Sequence, residues 1–335
     1  MKAPVGGLLY SLLHLGGFPN DLAFYSGRCG SGRILEMGCG DGRLGVHICL
    51  GESPLSVLQQ TLRQEADRQT GNAPAQDVGN VLQQQFMPPK AYVGIELCEP
   101  LALKAQKRLG AVAEAEVIVG DFLTTLLEKD TASFDTALVS ANTLFATPKH
   151  GELLAQCANA LRPGGVLLLD VYNALPWHPE EGEWQEIGGD EGEADENGEG
   201  RDGLDVGDDD YEKEDDDEDE EEAPSLLVRV QDEDGRDWRV YEHEPEVDAD
   251  AQTITCTYGF KEILGEGGDD AATVDQAGRF TESLVHHYLL PEQLVRVLDE
   301  QGFVIDDIFG DFEETSFSPD ESEHLVVVAR RRESE

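Results

Sequence analysis

Residues Arg33–Arg43 read RILEMGCGDGR, and their pattern decides how the rest of the chain is parsed. Ile34 and Leu35 open a short apolar strand, Glu36 follows, and Gly38, Gly40 and Gly42 stand at alternate positions. Glycine admits positive φ and lets a bound molecule come close to the main chain. A strand, a glycine turn and a helix N-terminus together aim free N–H groups and a partial positive charge at such a molecule. The spacing is G-x-G-x-G behind an acid, not the G-x-G-x-x-G of dinucleotide sites. Taken alone, it is equally compatible with a plain tight turn between a strand and a helix.

The residues that follow remove much of that ambiguity. Leu44–Leu50 reads as a short helix, and AYVGIEL (Ala91–Leu97) as a second strand with Glu96 at its C-terminal end. A carboxylate there can accept both hydroxyls of a ribose. CEPLALKAQKRL is a helix with Leu101, Ala105 and Leu109 inward. EVIVG (Glu116–Gly120) is a third strand that delivers Asp121 and Phe122, and Phe134–Ser140 is a fourth, followed by Asn142. Lys149–Leu161 is helical, stopped by Pro163 and Gly164, and Val166–Asp170 is a buried fifth strand leading to Tyr172 and Asn173. Repeated strand–helix units predict an α/β, doubly wound parallel sheet with its ligand at the strand C-termini. PEQLVRVLDEQGF is an amphipathic helix started by Pro291, and Val304–Phe309 and His324–Ala329 are the last two strands.

RILEMGCGDGR, VGIELCEPLALKAQ, EVIVGD, LRPGGVLLLDVYN and the EQGFVIDDIFGDFEE…HLVVVAR ending resemble, in order, the motifs of class I S-adenosylmethionine-dependent methyltransferases. They look most like the branch that acts on small acceptors. The resemblance implies a Rossmann-like, seven-stranded, mostly parallel sheet with an antiparallel last strand, plus a small antiparallel β insertion acting as a lid. It implies S-adenosyl-L-methionine as cofactor: Glu36, Gly38 and Gly40 at its amino-acid end, Glu96 on the ribose, Asp121 and Phe122 at the adenine, and Ser140 completing the site. The acceptor pocket would be lined by Asn142, Tyr172 and Asn173, with His286, His287 and Tyr288 from the returning lid strand. Strand alternation lets only one of the two histidines face inward. Methyl transfer needs alignment and exclusion of water, and a base only when the acceptor is protonated. His286 is the candidate base, and Tyr25, on a helical piece at 20–28 that Asn20 and Asp21 could cap, is the candidate active-site aromatic. The expected reaction is methyl transfer to an N or O atom of a small molecule. Two rivals are an aminopropyltransferase-like enzyme and a non-catalytic binding protein that works through its acidic tract.

Composition narrows the partners. The formal net charge is −46, and residues 180–222 hold 25 acids against Arg201 and Lys213, half of that total. Such a surface repels phosphate backbones and anionic lipid, so nucleic acid and membrane are disfavoured as partners. The run DDDYEKEDDDEDEEE cannot collapse against its own repulsion. It reads as a solvated loop, with bait for a basic partner as the functional alternative. The six cysteines are scattered without C-x-x-C or histidine pairing, which fits small hydrophobes in a reducing compartment and no metal site. The expected location is cytoplasmic: the apolar start MKAPVGGLLYSLLHLGG lacks a clear small-x-small cleavage site.

The resulting parse gives residues 1–175 and 285–335 to the methyltransferase-like domain, with a helical insertion at 51–89. An acidic disordered loop occupies 176–223, and a β-rich lid occupies 224–284, where apolar and polar residues alternate between turn signals.

Overall fold

The computed structural model describes residues 20–51, 88–125, 131–178, 225–231, 236–263 and 279–333, all within one compact unit formed by 1–178 and 224–335. Residues 52–87 of the expected helical insertion and the acidic run at 180–222 lie outside the described residues.

The chain begins its described part with α1 (Asp21–Cys29), β1 (Arg33–Met37), α2 (Arg43–Leu50), β2 (Ala91–Glu96), α3 (Glu99–Leu109) and β3 (Ala115–Val119). Next come β4 (Phe134–Val139), α4 (His150–Ala160) and β5 (Leu161–Tyr172). β6 (Ser225–Gln231), β7 (Asp237–Glu242), β8 (Glu246–Asp248), β9 (Thr253–Glu262) and β10 (Arg279–His287) follow, and α5 (Pro291–Glu300), β11 (Phe303–Phe309) and β12 (His324–Arg331) close the chain.

Seven strands form one sheet in the order β3-β2-β1-β4-β5-β12-β11. β1 pairs in parallel with β2 and β4, while β12 runs antiparallel to both β5 and β11. Alternation along the strands sorts the core onto two faces. Leu35, Met37, Val139, Leu167 and Leu169 pack with Leu153, Leu154 and Cys157 of α4 and Leu294 and Leu298 of α5. Ile34, Tyr92, Leu138 and Leu168 pack on the other face with Phe24 and Tyr25 of α1, Leu44 and Ile48 of α2, and Ala105 and Leu109 of α3. This is a three-layer α/β/α domain of the expected Rossmann-like type.

A second, antiparallel sheet has the order β10-β9-β7-β6, with β8 on β9. β10 runs to His287, so the expected lid edge at residue 284 falls inside a strand. The sheet is tied to the first domain by the His150 imidazole on the His287 carbonyl (2.7 Å) and by the Gln252–Gln293 amide pair (2.9 Å).

Local departures from the expectations have physical causes. Asn20 does not cap α1: it sits at φ 63° and its amide is drawn 2.7 Å to Glu313. The helix before β5 stops at Ala160, because a residue preceding proline is pushed out of the helical region. The RPGG segment is then a bulge inside β5, where Phe134 pairs with Leu161 but Thr136 with Val166. On α3 Ala105 and Leu109 are buried as expected, but Ala102 takes the third buried position and Leu101 is only half-buried.

Candidate functional site

The glycine loop closes onto the end of β2. Gly38, Gly40 and Gly42 all take positive φ (72°, 55° and 83°), the conformation that side chains resist. The N–H groups of Gly38 and Cys39 both bond the Ile95 carbonyl (2.8 and 3.0 Å), and the Gly40 N–H donates to Glu96 Oε2 (2.9 Å). Glu96 Oε1 accepts the Cys98 N–H (2.8 Å). A carboxylate has about four acceptor positions, so each oxygen keeps a lone pair for a further donor. Burial raises the Glu96 pKa against these backbone bonds. The neighbouring Gly120 N–H bonds the Glu96 carbonyl (2.9 Å), which brings the end of β3 alongside. There Asp121 is exposed and Phe122 is half-buried against the core. Glu36, Gly38, Gly40, Glu96 and Asp121 thus stand on three adjacent strand ends, β1, β2 and β3.

Space around the glycines separates their tasks. A Cβ on Gly42 would lie 2.9 Å from Ala105 and one on Gly38 would lie 2.7 Å from Thr143, whereas Gly40 has nothing within 4 Å. The loop is therefore packed on both flanks and open at its middle residue. Asp41 turns away from the opening, to Arg108 (2.8 Å) and Lys104 (3.8 Å) of α3.

Glu36 is buried beneath the loop and receives the Tyr92 hydroxyl at 2.5 Å. Burial lifts its pKa to about 7, opposed by Tyr92, Arg43 and the Ser140 hydroxyl. Tyr92 belongs to a strand that reads as ordinary core. The one hint in the sequence is Gly45, in the first turn of α2, which makes room for the ring: a Cβ there would sit 2.5 Å from the phenol.

Tyr25 is placed differently from the expectation. It is 1 % exposed and donates its hydroxyl to Asp170 Oδ1, and burial holds its proton by raising the pKa well above 10. It anchors α1, whose other anchors are Arg43 on Asp21, Arg28 on Glu314 (2.8 Å), and Phe24 edge-on to Phe312 (5.7 Å).

On the other side of the rim the last turn of β5 meets the second sheet. Tyr172 stacks on His286 (5.6 Å, 30°) and lies edge-on to Phe145 (5.1 Å). Its hydroxyl is buried with no hydrogen-bond partner among the described residues, and burial raises its pKa. Asn142 Oδ1 accepts the Tyr172 N–H (2.8 Å) and so fixes the strand end. Of the two histidines, His286 is the buried one. Tyr288 is buried and bonded through its hydroxyl to His178 Nδ1 (2.8 Å), a residue that no local motif singles out. Asn173 does not join this group. Its amide donates to the Pro319 and Ser322 carbonyls (2.8 and 2.9 Å) and its oxygen accepts the Leu175 N–H, so it ties down the loop before β12.

Residues 77–169 match a family model described as a methyltransferase domain. The chain carries a class I, S-adenosylmethionine-dependent methyltransferase domain. Solved structures align over nearly its whole length. An S-adenosylmethionine-dependent methyltransferase from Clostridium acetobutylicum has TM-score 0.57 at 10% identity, covering 97% of this chain and 96% of that one. The CcbJ methyltransferase from Streptomyces caelestis gives 0.54 at 16%, covering 95% and 92%. S-adenosylmethionine-bound CalS10, an amino pentose methyltransferase from Micromonospora echinaspora involved in calicheamicin biosynthesis, gives 0.51 at 15%, covering 96% of each. At such identities the likeness is one of fold. No curated protein matches the chain.

The family match begins after the glycine loop. In this methyltransferase β1 and β2 are hydrogen-bonded neighbours yet lie 53 residues apart in sequence, from Met37 to Ala91 exclusive. S-adenosylmethionine is the cofactor, and the residues present fit it: an open glycine at the loop's centre, spare lone pairs on Glu96, and a buried acid beneath the loop. Leu97, exposed at 65% directly after Glu96, is an apolar surface beside the same rim that the sequence reading passed over.

Proposed function

We propose that this methyltransferase moves a methyl group to an N or O atom of a small-molecule acceptor held between the end of β5 and the second sheet. The observation that carries the proposal is the stack of the buried His286 ring on the half-buried Tyr172, whose hydroxyl is buried. A titratable ring beside a buried hydroxyl supports a small molecule as acceptor better than a polymer. CalS10, whose described acceptor type is an amino pentose, supports the same class.

The cofactor supplies an electrophilic methyl on a sulfonium. Glu36, Gly38, Gly40 and Ser140 would hold its amino-acid end, Glu96 its ribose, and Asp121 with Phe122 its adenine. Tyr172 and Asn142 would orient the acceptor, and His286 would take its proton when it is an ammonium or a hydroxyl. Tyr25 holds α1 over the site instead of touching the acceptor.

The test is a screen of small amines, phenols and acids with methyl-labelled cofactor. Label should appear in a low-molecular-weight product, with S-adenosylhomocysteine formed in equal amount. His286→Ala should lower kcat by about a hundredfold or more and leave the S-adenosylhomocysteine Kd unchanged. Formation of methylthioadenosine would indicate aminopropyl transfer, and label found only in macromolecules would exclude a small acceptor.

A further inference from the structure

Asp170, which anchors α1 through the Tyr25 hydroxyl, is among the most buried acids of the described residues, at 1 % exposure. Its Oδ1 accepts both the Tyr25 hydroxyl and the Ala141 N–H (2.9 Å). Its Oδ2 is buried and has no hydrogen-bond partner among the described residues. The register fixes the row and face on which Asp170 stands. Glu36 pairs with Leu138, Leu138 with Leu168, and Asp170 lies two residues beyond Leu168 on the same face. Glu36, Ser140 and Asp170 therefore extend three adjacent rows of that face at the rim, beneath α1.

The charged and titratable groups around Asp170 can be named element by element. α1 brings Tyr25 and Asp21, α2 brings Arg43, and β1 brings Glu36 with its Tyr92 donor from β2. The turn after β4 brings the amides of Ala141 and Asn142, and the β12 neighbour is the uncharged Val326. Arg43 is the cation of this group, and its guanidinium is bonded to both oxygens of Asp21. Among the described residues neither Glu36 nor Asp170 is ion-paired, and Arg43 acts on them only through space. Burial pushes them to about 7 and about 6, against the hydrogen bonds each receives. A buried carboxylate in that position either keeps a proton or takes a cationic guest.

We propose that the spare oxygen of Asp170 receives the α-ammonium at the amino-acid end of the cofactor, so that Asp170 and Glu36 form one anionic seat for that group. The inference rests on the methyltransferase reading of the site and adds a residue to it. An ammonium in the seat favours both ionised carboxylates, so ligand entry expels protons and affinity rises as pH climbs through the range where the two acids titrate. Tyr25 shares the same carboxyl, which couples the seating of α1 to the filled site.

Calorimetry with two ligands tests the seat. S-adenosylhomocysteine carries the amino-acid end and methylthioadenosine lacks it. In the wild-type chain, S-adenosylhomocysteine should release protons between about pH 6 and 7, read from buffers of different ionisation heat, and methylthioadenosine should release none. Asp170→Asn keeps an oxygen for Tyr25 and Ala141. It should weaken S-adenosylhomocysteine by about tenfold or more and leave methylthioadenosine within about twofold. Equal proton release by the two ligands in the wild type overturns the seat, as does a Kd for S-adenosylhomocysteine that Asp170→Asn leaves unchanged. If the wild-type chain binds neither ligand, the methyltransferase reading itself fails.

Discussion

Two polar clusters border the seven-stranded sheet, one beside each half of its core, and they are built on different principles. The cluster on the α1 side (Glu36, Tyr92, Tyr25, Asp170) is locked by backbone geometry: three positive-φ glycines, a loop bonded to Ile95 and Glu96, and strand register. The cluster on the second-sheet side (Tyr172, His286, Tyr288, His178) is held by ring contacts and one phenol–imidazole bond. The first has little freedom to change, because moving any member moves the main chain. The second can be re-lined by substituting side chains on β5 and β10. A shared cofactor with a variable acceptor is what such a division permits.

The comparison breaks first at Gly42. Its φ of 83° and the 2.9 Å gap to Ala105 leave no room for a side chain. Gly42→Val should destabilise the domain by about 2–4 kcal/mol, from left-handed strain and overpacking together, read as a lower urea midpoint. A midpoint within error of the wild type would show that the loop is not the rigid member of the pair.

The next effect is in pH dependence. Glu36 and Asp170 have folded pKa values near 7 and 6, above ordinary carboxylates. Above pH 4 the unfolded chain gives up these protons first, so the folded state binds more of them. Stability therefore falls as pH rises from about 4.5 to 7, by on the order of 3 kcal/mol for each acid at most, and then levels off. Tyr92→Phe removes the donor that offsets part of this cost. It should lose about 1.5–3 kcal/mol at pH 8, where Glu36 is ionised, and less at pH 5.5, where it is protonated. Equal losses at both pH values would mean that Glu36 does not titrate with the fold.

How much of this was legible follows the same division. The strand order and the two-faced core could be read from alternating apolar rows and from glycines whose positive φ was the reason for their presence. Glu36 and Glu96 stood out because an acid at the end of an apolar strand needs a partner. Asp170 and Tyr92 did not stand out. Within LLLDVY and AYVGIEL they look like strand residues, and their meeting with Tyr25 and Glu36 joins positions 145 and 56 residues apart. Asn173 and Tyr25 were misplaced for a related reason: both lie at element ends that suit a pocket, and only packing shows that loop 319–322 and Asp170 claim them. His178 depended on a contact 110 residues away that no local pattern announces.

A smaller effect sharpens the cofactor half. Glu96 holds the Gly40 and Cys98 amides while keeping lone pairs outward. Glu96→Gln retains an acceptor oxygen for the loop but replaces the other with a donor. It should weaken S-adenosylhomocysteine by about 1–3 kcal/mol in calorimetry, and the amide donor facing one of the two backbone N–H groups should also cost about 1–2 kcal/mol of folding stability. An unaltered Kd would remove Glu96 from the ribose position.

The smallest expected effect is the most discriminating, because it has opposite signs in two measurements. The Tyr172 hydroxyl is buried with no partner among the described residues, a placement that costs folding free energy. If the hydroxyl is there to meet an acceptor, removing it helps the empty protein and harms the reaction. Tyr172→Phe should therefore match or exceed wild-type stability by up to about 1 kcal/mol, and at the same time raise KM for the acceptor identified by the screen. Destabilisation by a similar amount would mean that the hydroxyl already has a partner in the folded chain. The acceptor side of the rim would then be a packed core like the other side, and the contrast between the two clusters would disappear.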